Sequence, residues 1–316
     1  MPTCFITQPI AEKAVDFLRN QGVEIRFASS MTMDAVIAEV GSSEAVITRD
    51  LGFSAEALSA APALRVVACH GSGTNRIAVD AAKARNVTVT RAPGTNSRSV
   101  AELTIGLMLA VARRVGEADR AVRANDWAFR YRAGGIELYG KTLGLVGFGA
   151  IAREVARIAA NGFGMKVLAW SPSVPAGVFA EHVVTPVSDI PTLLGASDVI
   201  SLHRPAERPG DASPVITEET IGSLRPGSIL LNSSRGAAVD HQALLSAITS
   251  GRLAGAGLDV LQQEPPRSDD PLLQCERIVF SPHIGAATEE ALLRTAMMCA
   301  HQVIDVFSGR IPPHAL

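Results

Sequence analysis

The stretch from Lys141 to Ala152, Lys-Thr-Leu-Gly-Leu-Val-Gly-Phe-Gly-Ala-Ile-Ala, decides the fold. Leu143 to Val146 is an apolar run of strand length, and it enters Gly147, Gly149 and Ala152 directly. That spacing is G-x-G-x-x-A, and the apolar positions Ile151, Val155, Ile158 and Ala159 then repeat with a helical period. In a dinucleotide site the first glycine makes the tight turn, and the second lets backbone amides approach a pyrophosphate. The third small residue lets helix and strand pack closely. The anion then sits on the positive end of the helix. A Gly-rich turn alone is also consistent with a plain strand–helix connection. A second apolar segment, Lys166 to Trp170, follows at the distance a βαβ unit requires and favours the nucleotide reading.

Downstream, strand-like segments recur at 183–184, 198–202, 228–232, 255–259 and 277–280, and Thr288 to Phe307 is helical. Upstream, Cys4–Ile6, Glu24–Phe27, Ala45–Ile47, Val66–Ala68 and Val87–Thr90 alternate with helical patterns at 10–20, 32–40, 54–60 and 77–85. Such alternation predicts parallel sheets covered by helices, and its restart at Lys141 predicts two doubly wound α/β units. One long helix is expected from Ser97 or Ser99 to about Ala124, and exposed loops at 172–177 and 205–214.

The 316 residues suffice for two ordinary domains. A formal net charge of -2 gives no general attraction to nucleic acid or to an anionic membrane. Four scattered cysteines without a C-x-x-C pair predict neither a metal site nor a disulfide framework, and suit a reducing compartment. The amino terminus lacks the basic segment of a signal peptide, and the apolar run near 103–112 is too short to span a bilayer. The expectation is a soluble, cytoplasmic protein.

Three charged residues each follow an apolar strand: Arg235 in Ile-Leu-Leu-Asn-Ser-Ser-Arg-Gly, Glu264 in Gly-Leu-Asp-Val-Leu-Gln-Gln-Glu-Pro, and His283 in Ser-Pro-His-Ile-Gly. Ligands of open parallel sheets gather at the carboxyl ends of strands, so these three can converge. Taken singly, each is equally a surface charge at a loop start. Together they match the reduction of a 2-keto acid. Arginine pairs bidentately with a carboxylate. Histidine titrates near neutrality and can pass a proton. A carboxylate beside an imidazole favours its protonated form and fixes the ring. NAD(P)H would supply the hydride.

The chain resembles the D-2-hydroxyacid dehydrogenase family, which includes phosphoglycerate dehydrogenases and glyoxylate/hydroxypyruvate reductases. The resemblance is carried by Gly-Ser-Gly-Thr-Asn at 71–75, Pro-Gly-Thr-Asn at 93–96, Ser-Val-Ala-Glu at 99–102 and the run 137–149. It continues through Leu-Arg-Pro-Gly-Ser at 224–228, Asn-Ser-Ser-Arg-Gly at 232–236, Gly-Leu-Asp-Val at 257–260, Glu-Pro at 264–265 and Pro-His-Ile-Gly at 282–285. It implies a Rossmann-type cofactor domain at 100–287 inserted into a flavodoxin-like substrate domain made of 1–99 and 288–316. It also implies that Arg235 holds the substrate, that Glu264 pairs with His283, and that His283 is the general acid/base. Ser72, Gly73, Asn96 and Arg49 become substrate contacts. Gly147, Gly149, Ala150, Ile151, Ser171, His203, Ser233 and Asp259 become cofactor contacts, Asp259 beside the nicotinamide amide. A homodimer joined through the segment near 100–140, Trp127 as a dimer-loop or interdomain anchor, and closure of the two domains before reaction are further expectations.

Two departures bear on specificity. Ser171 stands where the family usually has the aspartate that binds the ribose hydroxyls of NAD, which leaves both NAD and NADP open. Asn75-Arg76 stands where Asp-Asn is common. A hydroxypyruvate/glyoxylate-type reductase is the first reading. A phosphoglycerate dehydrogenase-type activity, to which Arg49 is suited, and a non-catalytic NAD(H)-sensing, corepressor-like protein are the alternatives. A formate-type enzyme would carry glutamine in place of Glu264. His182, His241, His301 and His314 show no partner pattern and are expected to be solvated.

Overall fold

The computed structural model describes residues 1–204 and 214–316. The expected loop at 205–214 therefore falls, but for its last residue, outside the described residues. The chain divides into one unit of Met1–Asn96 with Ala286–Leu316, and a second of Ser97–Gly285.

The first unit holds five parallel strands, β1 (Thr3–Ile6), β2 (Glu24–Phe27), β3 (Ala45–Thr48), β4 (Val66–Cys69) and β5 (Thr88–Thr90), in the order β2-β1-β3-β4-β5. This is the flavodoxin-like winding. Strands β3 and β4 are buried throughout, which is why they read as unbroken apolar runs. The terminal helix Glu289–Phe307 closes one face, with Ala296, Cys299, Ala300 and Val303 buried against Cys4, Ile6, Ala45 and Ala68. Met297 and Met298 pack beside them, as core residues.

The second unit holds seven parallel strands: β6 (Thr142–Val146), β7 (Lys166–Trp170), β8 (Thr185–Pro186), β9 (Val199–Leu202), β10 (Ser228–Asn232), β11 (Leu253–Leu258) and β12 (Ile278–Phe280). Their order is β12-β11-β10-β9-β6-β7-β8, a Rossmann winding with one strand added. Succession reverses between β6 and β9, so the switch point lies at the end of the Gly-rich strand. The helix Ala150–Phe163 follows that strand, burying Ala152, Val155, Ala156 and Ala159 and ending on left-handed Gly164.

Three expectations of local structure are corrected. The long helix after Ser97 stops at Ala112, and a second helix runs over Val115–Arg123. Between them Arg114 adopts φ +54°, held there by its guanidinium on Glu117 and the carbonyls of Arg132 and Ala133. The strand expected at 183–184 lies at Thr185–Pro186, because Val183 has φ +55° and cannot extend. The expected loop at 172–177 gives way to the helix Ala176–Glu181, entered through Pro175. Among the described residues, no helix is long and apolar enough to cross a membrane.

Candidate active site

Strands β10, β11 and β12 are neighbours, with Asn232 opposite Leu258 and Leu258 opposite Phe280. Arg235, Glu264 and His283 therefore follow three adjacent carboxyl ends. Each is held by a different device.

Asn232, buried at the end of β10, organises the first loop. Its Oδ1 accepts the backbone N–H and hydroxyl of Ser234 at 3.1 and 2.9 Å, and its Nδ2 donates to the Arg235 carbonyl at 2.8 Å. Arg235 is half-buried, and its Nη1 donates to the Ser234 carbonyl at 2.7 Å. Gly236 lets this loop press on the next one, since a Cβ there would overlap the Leu261 carbonyl. Glu264 is fixed from the same place: its Oε1 accepts the Leu261 N–H at 3.0 Å, while Oε2 lies 2.8 Å from His283 Nδ1. The expected carboxylate–imidazole pair is thus formed.

Asp259, at the end of β11, is tied to the loop after β12. Only 2% exposed, it spends Oδ1 on the Ser281 hydroxyl (2.6 Å) and the Ile284 N–H (2.9 Å), and Oδ2 on the Gly285 N–H (2.9 Å). Its own carbonyl accepts the His283 N–H at 2.9 Å. Asp259 is therefore the clamp of the turn that presents His283, whose φ is +53°. Neither this clamp nor the role of Asn232 was visible in the sequence, beyond each polar residue standing at the end of an apolar strand.

On the other side of the switch point, Gly147 has φ +95°, and a Cβ on it would stand 2.7 Å from the His203 carbonyl. Gly149 is the N-cap of Ala150–Phe163, extended and exposed, and among the described residues no side chain caps the first turn and the space where its Cβ would be is open. The amides of exposed Ala150 and half-buried Ile151 thus lie at an uncapped, positive helix end. That cradle fits the pyrophosphate of a dinucleotide. Ser171, at the end of β7, lines a cavity of about 230 Å³ with Trp170, Val174, Phe179 and Val187, and no charged side chain among the described residues lines it. His203 is 2.9 Å from the Ser201 hydroxyl, and burial pushes its imidazole down to about 4, so it stays neutral. Ser233 is tied to Thr104 at 2.7 Å. A larger cavity of about 300 Å³, among Arg114, Glu117, Glu276 and Arg277, lies at the amino ends of β11 and β12 and takes no part in this edge.

The four expected substrate contacts lie in the first unit. Arg49 follows β3 and donates to the Pro9 carbonyl at 2.7 Å. Ser72 and Gly73 are exposed just beyond β4, where the Cys69 thiol donates to the Gly73 carbonyl at 3.2 Å. His70 lies between Arg49 and that loop, pushed down to about 4 by burial and then by the Arg49 charge. Asn96 ends the unit's first segment. Of the histidines expected to be solvated, His301 and His314 are exposed, while His182 and His241 are half-buried. His182 stands edge-on to Phe148, His301 lies 4.5 Å from the Phe17 ring, and His241 faces Asp270 at 3.8 Å. All three partners are remote in sequence, where spacing carries no signal.

The sequence profile of the family described as D-isomer specific 2-hydroxyacid dehydrogenase, NAD binding domain, matches residues 105–285. A D-3-phosphoglycerate dehydrogenase of Archaeoglobus fulgidus is 38% identical over 313 residues, covering 96% of this chain. The chain spans only 57% of that relative's length. A glyoxylate reductase of Korarchaeum cryptofilum is 36% identical over 324 residues, covering 99% of this chain and 95% of the relative. A protein of known crystal structure from Thermus thermophilus superposes with a TM-score of 0.90 at 33% identity, over 99% of both chains.

Proposed function

Because the chain belongs to the D-isomer-specific 2-hydroxyacid dehydrogenase family, we propose that it interconverts a 2-keto acid and a D-2-hydroxy acid, acting as a hydroxypyruvate or glyoxylate reductase. The observation that carries this reading is the 2.8 Å pairing of Glu264 Oε2 with His283 Nδ1, beside Arg235 and on the same sheet edge as the Gly-rich turn.

In the reducing direction, the Arg235 guanidinium binds and orients the substrate carboxylate and the carbonyl. His283, held through Nδ1, gives a proton from Nε2 to the carbonyl oxygen as that oxygen gains negative charge. Glu264 fixes the ring and balances the imidazolium charge before transfer. The amides of Gly149, Ala150 and Ile151 would hold the pyrophosphate of NAD(P)H, which would supply the hydride to the carbonyl carbon. The proton and the hydride together complete the 2-hydroxy acid. In the reverse direction His283 takes the hydroxyl proton. Within the first unit, the backbone at Ser72–Gly73, Asn96 and Arg49 are the proposed substrate contacts.

The cofactor choice is proposed to include NADP(H) beside NAD(H), on the ground that Ser171 brings no carboxylate to repel a 2′-phosphate. A homodimer is proposed as well. None of the residues of Val115–Arg123 is buried, and Val122 and Trp127 are 55% and 61% exposed, so an apolar surface stands uncovered. Four unpaired cysteines suit a reducing, cytoplasmic setting.

The test is initial rates of NADH and NADPH oxidation with glyoxylate, hydroxypyruvate, phosphohydroxypyruvate and pyruvate. Turnover of glyoxylate or hydroxypyruvate that His283→Ala abolishes supports the first reading. Preference for phosphohydroxypyruvate supports a phosphoglycerate dehydrogenase-type activity, to which Arg49 would contribute. Cofactor binding without turnover of any of the four favours a sensor.

A further inference from the structure

Ser171 explains why NADP could be tolerated, but a 2′-phosphate also needs a cation. The segment 171–189 contains neither lysine nor arginine. Arg153, near the Gly-rich turn, is already engaged: its Nε donates to the Phe148 carbonyl at 3.3 Å, and its guanidinium lies over the Phe148 ring. His203 is neutral.

Among the described residues, a cation nearer than Arg235 follows β9 on this edge. Gly147 N–H donates to the Trp170 carbonyl at 2.8 Å, and His203 N–H donates to the Val146 carbonyl at 2.8 Å. The ends of β7, β6 and β9 are thereby laced side by side, with Ser171, Gly147 and His203 in a row. Arg204 is the next residue, and its backbone nitrogen lies 3.2 Å from where a Gly147 Cβ would be. It therefore stands at the switch point between β6 and β9, the place where a doubly wound sheet takes its dinucleotide. The residue is half-buried, and its guanidinium has no hydrogen bond or ion pair among the described residues. Two strand spacings, about 10 Å, separate its backbone from that of Ser171. An extended arginine and a phosphate on the ribose together cross that gap.

We propose that Arg204 supplies the cation that holds the 2′-phosphate of NADP(H), entering from the β9 end of the sheet and not from the β7 end. This rests on the dinucleotide reading of the Gly-rich turn. Ser171 and Arg204 then act together, one by withdrawing a negative charge and the other by adding a positive one.

The test is equilibrium binding, by calorimetry or nicotinamide fluorescence, of NADPH, NADH, adenosine 2′,5′-bisphosphate and adenosine 5′-monophosphate. Arg204→Ala should weaken NADPH and the bisphosphate by about 10- to 100-fold, the scale of charge-assisted hydrogen bonds. NADH and the monophosphate should change by less than about 3-fold, which also reports an intact fold. Added salt should narrow the difference between wild type and variant. Equal weakening of NADPH and NADH would overturn the proposal and give Arg204 to the pyrophosphate or the adenine face. So would no change in either, or wild-type protein that binds NADH and not NADPH. Wild-type protein that binds neither would overturn the dinucleotide reading itself, and this proposal with it.

Discussion

The carbonyl of Asp259 accepts the backbone N–H of His283 at 2.9 Å, while both oxygens of the same residue's carboxylate hold the chain on either side of that histidine. One buried acid thus sets where the imidazole stands, and Glu264 sets how it is turned. Position and orientation are controlled by different residues, so they can be tested separately.

Replacing His283 by alanine should lower kcat by about 10²- to 10⁴-fold, the usual contribution of a positioned general acid. NADH affinity should stay within a few-fold of wild type. Steady-state rates alongside a binding titration check both halves.

Asp259→Ala removes the acceptor of two backbone N–H groups and one hydroxyl in a buried place. Leaving such donors unsatisfied should cost about 2–4 kcal/mol of stability, and kcat should fall because the His283 turn loses its clamp. Urea unfolding and kinetics on the same preparation would show it. Unchanged stability would mean that the clamp is dispensable.

Gly236→Ala puts a methyl group into the Leu261 carbonyl. The backbone shift needed should cost about 1–3 kcal/mol and move the loop that bears Glu264. Activity should therefore drop in a variant that changes no polar group, measurable as a lower kcat with the cofactor still bound.

Acid should weaken the fold through His203. Its folded value, pushed down to about 4 by burial, lies below the ordinary histidine value of 6.5. Between these values the unfolded chain binds more protons, so stability is complete above about pH 6.5 and is lost as pH falls toward 4. From pH 7 to pH 5 the loss from this residue is about 2 kcal/mol. His70, pushed down for the same reason, adds to the slope. Unfolding midpoints at the two pH values, for wild type and His203→Gln, test this: the variant should lose less on acidification.

The exposed face of Val115–Arg123 predicts association. Val122→Glu, which places a charge among the exposed apolar groups, should shift the mass seen by light scattering from dimer toward monomer. A monomeric wild type at micromolar concentration would overturn the dimer.

How much of this was legible in the sequence depends on what each feature is made of. The parallel strands were visible because burial on both faces leaves unbroken apolar runs, as in Ala45–Thr48 and Val199–Leu202. Gly147 and Gly149 were visible because their spacing is itself the constraint. The pairing of Glu264 with His283 followed from the family resemblance. The clamp of Asp259 and the brace of Asn232 were hidden because their partners are largely backbone groups, which have no residue signature. The break at Arg114 was hidden because helix propensity continues through it, and carbonyls 18 and 19 residues away decide it.

The helix Glu289–Phe307 completes the hydrophobic core that Cys4, Ile6 and Ala45 begin. A ribosome makes those parts well apart in time. The whole of Ser97–Gly285 has to be synthesised between them, which takes roughly ten to forty seconds at ordinary elongation rates. During that interval the nascent amino-terminal sheet carries a bare apolar face, while the intervening unit already has all its own residues. The second unit is thus able to fold first, and the strands of the first unit wait for the helix that follows it. That bare face is where a chaperone would be needed, and where a truncated chain would aggregate.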